Sequence, residues 1–220
     1  EELLDGVSIY GAGRDWSFAP LQYNWVSTQW LVEILFAWLN NLAGLSGLIA
    51  YRTVTTALTL VTVGIVVFRG TRVWAALVAF ILPVFTLFMF AQERPQQVSF
   101  ILLPIVGYWW LRAVRDGTTP RWWVLLALSA IWANCHGLWI MLPAILALAF
   151  VGRLWDHGRR DPHLRSLAVG FGVSIVGGCI TPVGPLNLIA PIRFAATTEH
   201  IVEWEPTDFL YPASFGVSLA

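Results

Sequence analysis

Six apolar runs recur along this chain of 220 residues, at positions 46–68, 73–91, 98–111, 122–134, 138–151 and 166–180, and a single charged residue, Arg52, falls inside them. A segment apolar on every side must be covered on every side, by a large protein core or by lipid. Composition decides between the two. Charged residues make up 12% of the chain, against about 25% for a soluble domain. Hydrophobic residues make up 57%, and the mean hydropathy is +0.68. A soluble protein of this length would have too little polar surface to cover itself. An ordinary cytosolic domain, a disordered chain and a disulfide scaffold are thereby excluded.

A helix that crosses a bilayer needs about 20 mostly apolar residues, with a range of about 17–25. Several of the six runs are shorter, so they are expected to extend into their flanking turns or to stop partway. Pro83, Pro104 and Pro143 lie inside runs and are expected to kink them. A seventh run begins near Ala213 and is cut at Ala220; with no Met at position 1, the chain reads as a fragment. The expected fold is an all-α polytopic integral membrane helical bundle, with six spans and a truncated seventh. Residues 1–45 form an extracytoplasmic segment and 46–220 the transmembrane domain.

All 13 basic residues are Arg, and 13 acids balance them, so net charge gives no reason to expect a nucleic-acid partner. Their placement is uneven. The alternate loops 69–72, 112–121 and 153–165 hold nine Arg against three acids, and the intervening segments hold ten acids against three Arg. Short cytoplasmic loops concentrate Arg and Lys. The Arg-rich loops are therefore read as cytoplasmic and the acidic segments as extracytoplasmic, in a plasma membrane. Cys135 and Cys179 are too few for a disulfide framework; they read as buried thiols, with a single bridge as the alternative.

Residues 25–44 are apolar but interrupted by Gln29, Glu33, Asn40 and Asn41. Trp30, Leu31, Ile34, Leu35, Trp38 and Leu39 recur at helical spacing. The segment reads as an amphipathic helix lying in the outer interface. The alternative is a true span with a buried Glu33.

No G-x-G-x-x-G helix opening, phosphate loop or H-E-x-x-H is present. Polar residues crowd the outer ends of the runs instead. Gln92–Gln97 contains Glu93, Arg94 and Gln96; a guanidinium suits a phosphate or carboxylate, or else pairs with Glu93 at headgroup level. Asn134 and His136 end another run and can bond a phosphate or a sugar hydroxyl. No second ligand stands at zinc spacing. Glu199, Glu203, Glu205 and Asp208 lie beside Trp204 and Phe209. Such carboxylates supply a general base, bind a divalent cation, or simply face solvent. Asp15 and Glu33 complete the set of outer carboxylates.

Several of these segments carry a resemblance. Trp25 to Glu33 reads W-V-S-T-Q-W-L-V-E and resembles a W-V-x-H-E-W-L-x-E segment of bacterial polytopic membrane proteins related to the C-type glycosyltransferases. Arg94-Pro95-Gln96, the W-A-N-C-H-G turn at 132–137, Thr181-Pro182-Val183-Gly184 and the E-W-E-P-T-D-F segment at 203–209 match further marks of that group, in order. Thr28-Gln29 stands where the group has His-Glu, and the acid typical of an early outer loop would precede Glu1. The resemblance implies sugar transfer from a polyprenyl-phosphate donor to an extracytoplasmic acceptor. It implies Asp15, Glu33 or Glu203 as the base, Arg94, Gln96, Asn134 and His136 against the donor phosphate, and Trp204 and Asp208 beside the acceptor. A divalent cation is an optional cofactor. The competing readings are a transporter or lipid-linked-sugar flippase, and a non-catalytic subunit of a cell-envelope assembly complex.

Overall fold

The computed structural model describes residues 27–70 and 72–190. Among the described residues the secondary structure is helical throughout, with no strand. The order is α1 (Trp30–Ala43), α2 (Leu45–Gly70), α3 (Val73–Phe90), α4 (Gln97–Asp116), α5 (Trp122–Cys135), a 3-10 turn at Gly137–Ile140, α6 (Met141–His157), α7 (Leu164–Gly178) and a second 3-10 turn at Gly184–Leu188. Each of the six apolar runs lies on one of the helices α2 to α7.

Three segments are long and apolar enough to cross a membrane: Leu45–Arg69, Gln97–Asp116 and Gly137–His157. The chain is a membrane protein by that criterion. Only 22% of the most apolar window of α2 is buried within the molecule. Val54, Leu58, Val61, Ile65 and Phe68 stay exposed along one side of it, and water would not tolerate such a stripe. Three of the threonines of α2 suit lipid for a different reason. Thr53, Thr55 and Thr59 donate to the carbonyls of Ile49, Tyr51 and Thr55, so no hydroxyl proton of theirs faces hydrocarbon unpaired.

The main core lies among α4, α5, α6 and α7. Trp132 and Trp139 are wholly buried there, with Val106, Leu125, Leu142 and Leu167 around them. A Cβ at Gly178 would collide with the Trp139 ring, so a glycine at that point lets the end of α7 close on the indole. A smaller cluster of Val32, Tyr51 and Cys135, backed by Phe36, Leu39 and Val98, fixes α1 to the ends of α2, α4 and α5.

Three expectations need correction. Residues 30–43 form the expected helix, but its apolar positions divide into two stripes. Val32, Phe36 and Leu39 pack inward, whereas Leu31, Leu35, Trp38 and Leu42 are exposed. Helical spacing alone could not tell the stripes apart, because both are apolar. Pro143 is not in mid-helix but is the third residue of α6, where its missing N–H interrupts no hydrogen bond within that helix. Arg153 is not a loop residue. It lies inside α6 with its side chain 9% exposed, bonded at 2.6 Å to Asp161 and at 3.0 Å to the Val114 carbonyl. It clasps the 158–163 turn to the end of α4. Arg153 and a backbone N–H from His163 hold the Asp161 carboxyl below its ordinary value. The seventh run lies outside the described residues.

Candidate functional site

The site is built where several helix ends meet. Tyr51 lies seven residues into α2, Val98 opens α4, and Cys135 closes α5, yet all three belong to one small cluster. The first turns of α2 therefore extend about 9 Å past the ends of α4 and α5, at about 1.5 Å per residue. This places Arg52 at the level of the 92–97 turn, not at mid-span as its position within the 46–68 run suggested. Arg52 Nη1 lies 2.9 Å from Glu93 Oε1. Arg94 is exposed on the same turn, and its carbonyl accepts from the Tyr51 hydroxyl at 3.5 Å. Gln96 is half-buried at the start of α4.

Asn134 joins three elements. Its amide donates to the Ala130 carbonyl at 2.7 Å and to the Ile180 carbonyl at 2.8 Å, and its oxygen accepts from Trp30 Nε1 at 2.7 Å. Both donors are committed, so Asn134 braces α1 and the end of α7 against α5. Glu33 is exposed on α1 and accepts from the Ser27 hydroxyl at 2.6 Å. Its neighbour Val32 packs against Cys135, the residue before His136.

His136 is the best-defined member. The indole N–H of Trp132 donates to Ser99 Oγ at 2.8 Å. Ser99 Oγ lies 2.9 Å from His136 Nδ1, and the backbone N–H of Leu138 points at the same nitrogen at 3.3 Å. An indole and a peptide N–H can only donate. The Leu138 N–H requires Nδ1 to accept, so the Ser99 hydroxyl, which accepts from Trp132, directs its own proton at Nδ1. Two donors thus converge on Nδ1, which leaves the ring proton on Nε2. Burial lowers the His136 pKa, favouring the neutral ring. The result is an uncharged imidazole presenting Nε2–H in a fixed orientation. Ser99 is itself wholly buried, which excludes it as a nucleophile toward an outside substrate.

Glu33, Arg94, Gln96, Asn134 and His136 thus gather at one end of the helices. Asp15, Glu203, Trp204 and Asp208 lie outside the described residues. Sequence reasoning missed Ser99 and Tyr51, and it named Trp30 and Trp132 only as parts of a helical stripe and a turn motif, without the hydrogen bonds they donate. Ser99 sits three residues after Gln96 and Trp132 four before His136, so one helical turn from each named polar residue was the available signal. The described residues do not suit a divalent cation. No three His, Cys, Asp or Glu among them come together, and Glu93 is already paired with Arg52. Cys135 and Cys179 are free thiols. No family model, curated protein or solved structure matches the chain.

Proposed function

We propose that this protein transfers a sugar from a polyprenyl-phosphate donor to an acceptor hydroxyl at the membrane surface, with inversion at the anomeric carbon. In this reading the helices α2 to α7 are six spans of a bacterial plasma-membrane protein, with the Arg-rich ends cytoplasmic and the Arg94 end extracytoplasmic. One observation supports the reading most: Glu33, the Arg94 turn and the oriented imidazole of His136, remote in sequence, lie at the same end of the helices, their neighbours Val32, Tyr51 and Cys135 sharing one small cluster. An acceptor hydroxyl gives its proton to a carboxylate as its oxygen attacks the anomeric carbon. The bond from that carbon to the phosphate oxygen breaks, and the phosphate leaves with the electron pair. Glu33 is the base within the described residues, with Asp15 and Glu203 as the others. Arg94 and the Nε2–H of His136 stabilise the departing phosphate, with Gln96 beside them. Trp204 and Asp208 border the acceptor. A lipid-borne donor reaches such a site from the bilayer.

The transporter or flippase reading would use the same outer turns as a gate and calls for ionisable groups at mid-bilayer depth, and Arg52, the one charged residue in the apolar runs, lies instead beside Glu93 of the 92–97 turn. Among the described residues no ionisable group except Tyr108 then stands at mid-span, where carriers place them. The non-catalytic subunit reading keeps one observation, the commitment of Asn134 and Glu33 to partners within the chain. Transfer of radiolabelled sugar from polyprenyl phosphates in membranes separates the two. Glu33→Gln is expected to lower transfer by about 10²–10⁴-fold if Glu33 is the base. Arg94→Ala and His136→Ala are each expected to lower it by about 10²-fold, with membrane insertion intact. Transfer indifferent to all three changes refutes this assignment, and no transfer from any donor favours the non-catalytic subunit.

A further inference from the structure

The opposite end of the molecule holds a cleft that sugar transfer does not use. It opens between the start of α5 and the start of α7 and has a volume of about 390 Å³, within the about 300–1,000 Å³ range of small-ligand sites. Its walls differ in chemistry. Leu125, Val169 and Gly170 give it an apolar floor on the side of buried Leu125, and Arg165 and Thr119, with the exposed Trp122, supply polar groups to the same lining. Val169 and Val176, two turns apart on α7, are 47% and 57% exposed, so an apolar surface runs on from the floor along the helix.

The surroundings fix the level of this cleft. Trp122 and Trp123 at the start of α5, Trp110 near the end of α4, and Trp155 near the end of α6 are all exposed, and Trp155 is 89% so. Tryptophans left exposed at one end of an apolar bundle mark the headgroup level of a bilayer. The charge at this level is unbalanced. Asp116 is paired with Arg112 and Arg115, and Asp161 with Arg153. The third acid, Asp156, is exposed, and against it stand four exposed arginines, Arg121, Arg159, Arg160 and Arg165, that make no ion pair among the described residues.

We propose that this cleft binds one anionic glycerophospholipid, with its phosphate at Arg165 and Thr119 and an acyl chain along Leu125, Val169 and Val176. The guanidinium supplies paired donors for the phosphate oxygens. The apolar floor accounts for a chain that a free anion would lack. A zwitterionic lipid offers the same chain, but its own cation competes with Arg165 for the phosphate. The proposal is independent of the transfer reaction at the other end.

The test is native mass spectrometry of the purified protein released from detergent, titrated with phosphatidylglycerol or phosphatidylcholine. The protein is expected to retain a first phosphatidylglycerol more tightly than phosphatidylcholine. Arg165→Gln should weaken that first binding about fivefold, the contribution of one Arg beside an anionic lipid. Val169→Trp fills the cleft and leaves every charge in place, so it should weaken both lipids. Arg160→Gln, away from the cleft, should leave the first binding unchanged. An equal loss in Arg160→Gln overturns the proposal in favour of diffuse attraction. Displacement by millimolar inorganic phosphate overturns it in favour of a simple anion site. Thermal unfolding in detergent identifies any variant that has failed to fold, and Arg165→Lys, which keeps the charge, should then retain most of the preference.

Discussion

At the scale of single residues, His136 carries the sharpest expectation. Nδ1 accepts from Ser99 and Leu138, so the neutral ring is locked with its proton on Nε2. Nitrogen-15 spectra of ring-labelled protein should show a protonated-type Nε2 and an unprotonated Nδ1 at neutral pH. In Ser99→Ala the lock loosens, and the two nitrogen shifts should move toward one another. An Nδ1–H ring in the unaltered protein would contradict the hydrogen-bond assignment. The same burial sets a pH dependence. The folded pKa of His136 is depressed, so between it and the ordinary value of 6.5 the unfolded chain binds more protons than the folded one. Stability therefore falls as pH drops through that window and is flat above it. His136→Gln, which cannot titrate, should flatten the fall when unfolding is followed from pH 7.5 to 5. Of this network, sequence pointed to Asn134 and His136 as polar residues at a helix end. It gave no means of seeing that Asn134 would be consumed as a brace, because its partners Trp30 and Ile180 lie 104 and 46 residues away.

At the scale of elements, the α1–α2 corner depends on one close approach. Gly44 turns the chain with φ at 58°, and α1 folds back so that Leu39 lies over Gly47 and Phe36 meets the Tyr51 ring edge-on at 4.8 Å. A Cβ at position 47 would collide with the Leu39 carbonyl, a backbone atom that no rotamer change can move. Gly47→Ala is thus expected to pry α1 from α2 at a cost of about 1–3 kcal/mol, typical of overpacking. Hydrogen exchange should speed up across α1 and leave α5 and α7 unchanged. Gly44→Ala acts by a different route, through backbone strain in open space, and should cost about 1–3 kcal/mol. Uniform acceleration over the whole chain in Gly47→Ala would mean that α1 is not a separable element. The helix itself was readable from spacing. Which stripe of it faces inward was not, because both stripes are apolar and only the contact with Tyr51 and Cys135 selects Val32, Phe36 and Leu39.

For the whole molecule, hydropathy located the helices from α2 to α7, each of which carries one of the six apolar runs, although only three helical segments are long and apolar enough to cross a membrane. Depth was less legible. Arg52 lies within an apolar run but at the level of a polar turn, because α2 is longer than its neighbours and protrudes. Arg153 lies at an Arg-rich turn but inside a helix, because Asp161 folds back to meet it. Both corrections concern charged residues whose partners are distant in sequence or across a turn, and hydropathy does not see partners. Neither one disturbs the alternation of Arg-rich and Arg-poor ends, and that alternation makes a prediction for the whole chain. In a background with Cys135 and Cys179 replaced by Ala, Glu93→Cys and Arg159→Cys place single thiols at opposite ends. A membrane-impermeant maleimide added to intact cells should label position 93 and reach position 159 only after permeabilisation. Replacing the exposed Arg159, Arg160 and Arg165 together by Glu should weaken this preference, since arginines in short loops are what hold a chain in one orientation. Labelling of both positions from the same side would mean that an odd number of the helices between them stops short of crossing. Of the three helices between them, α4, α5 and α6, the shortest is α5, and a thiol placed in the turn at each of its ends would show whether it is the one that stops short.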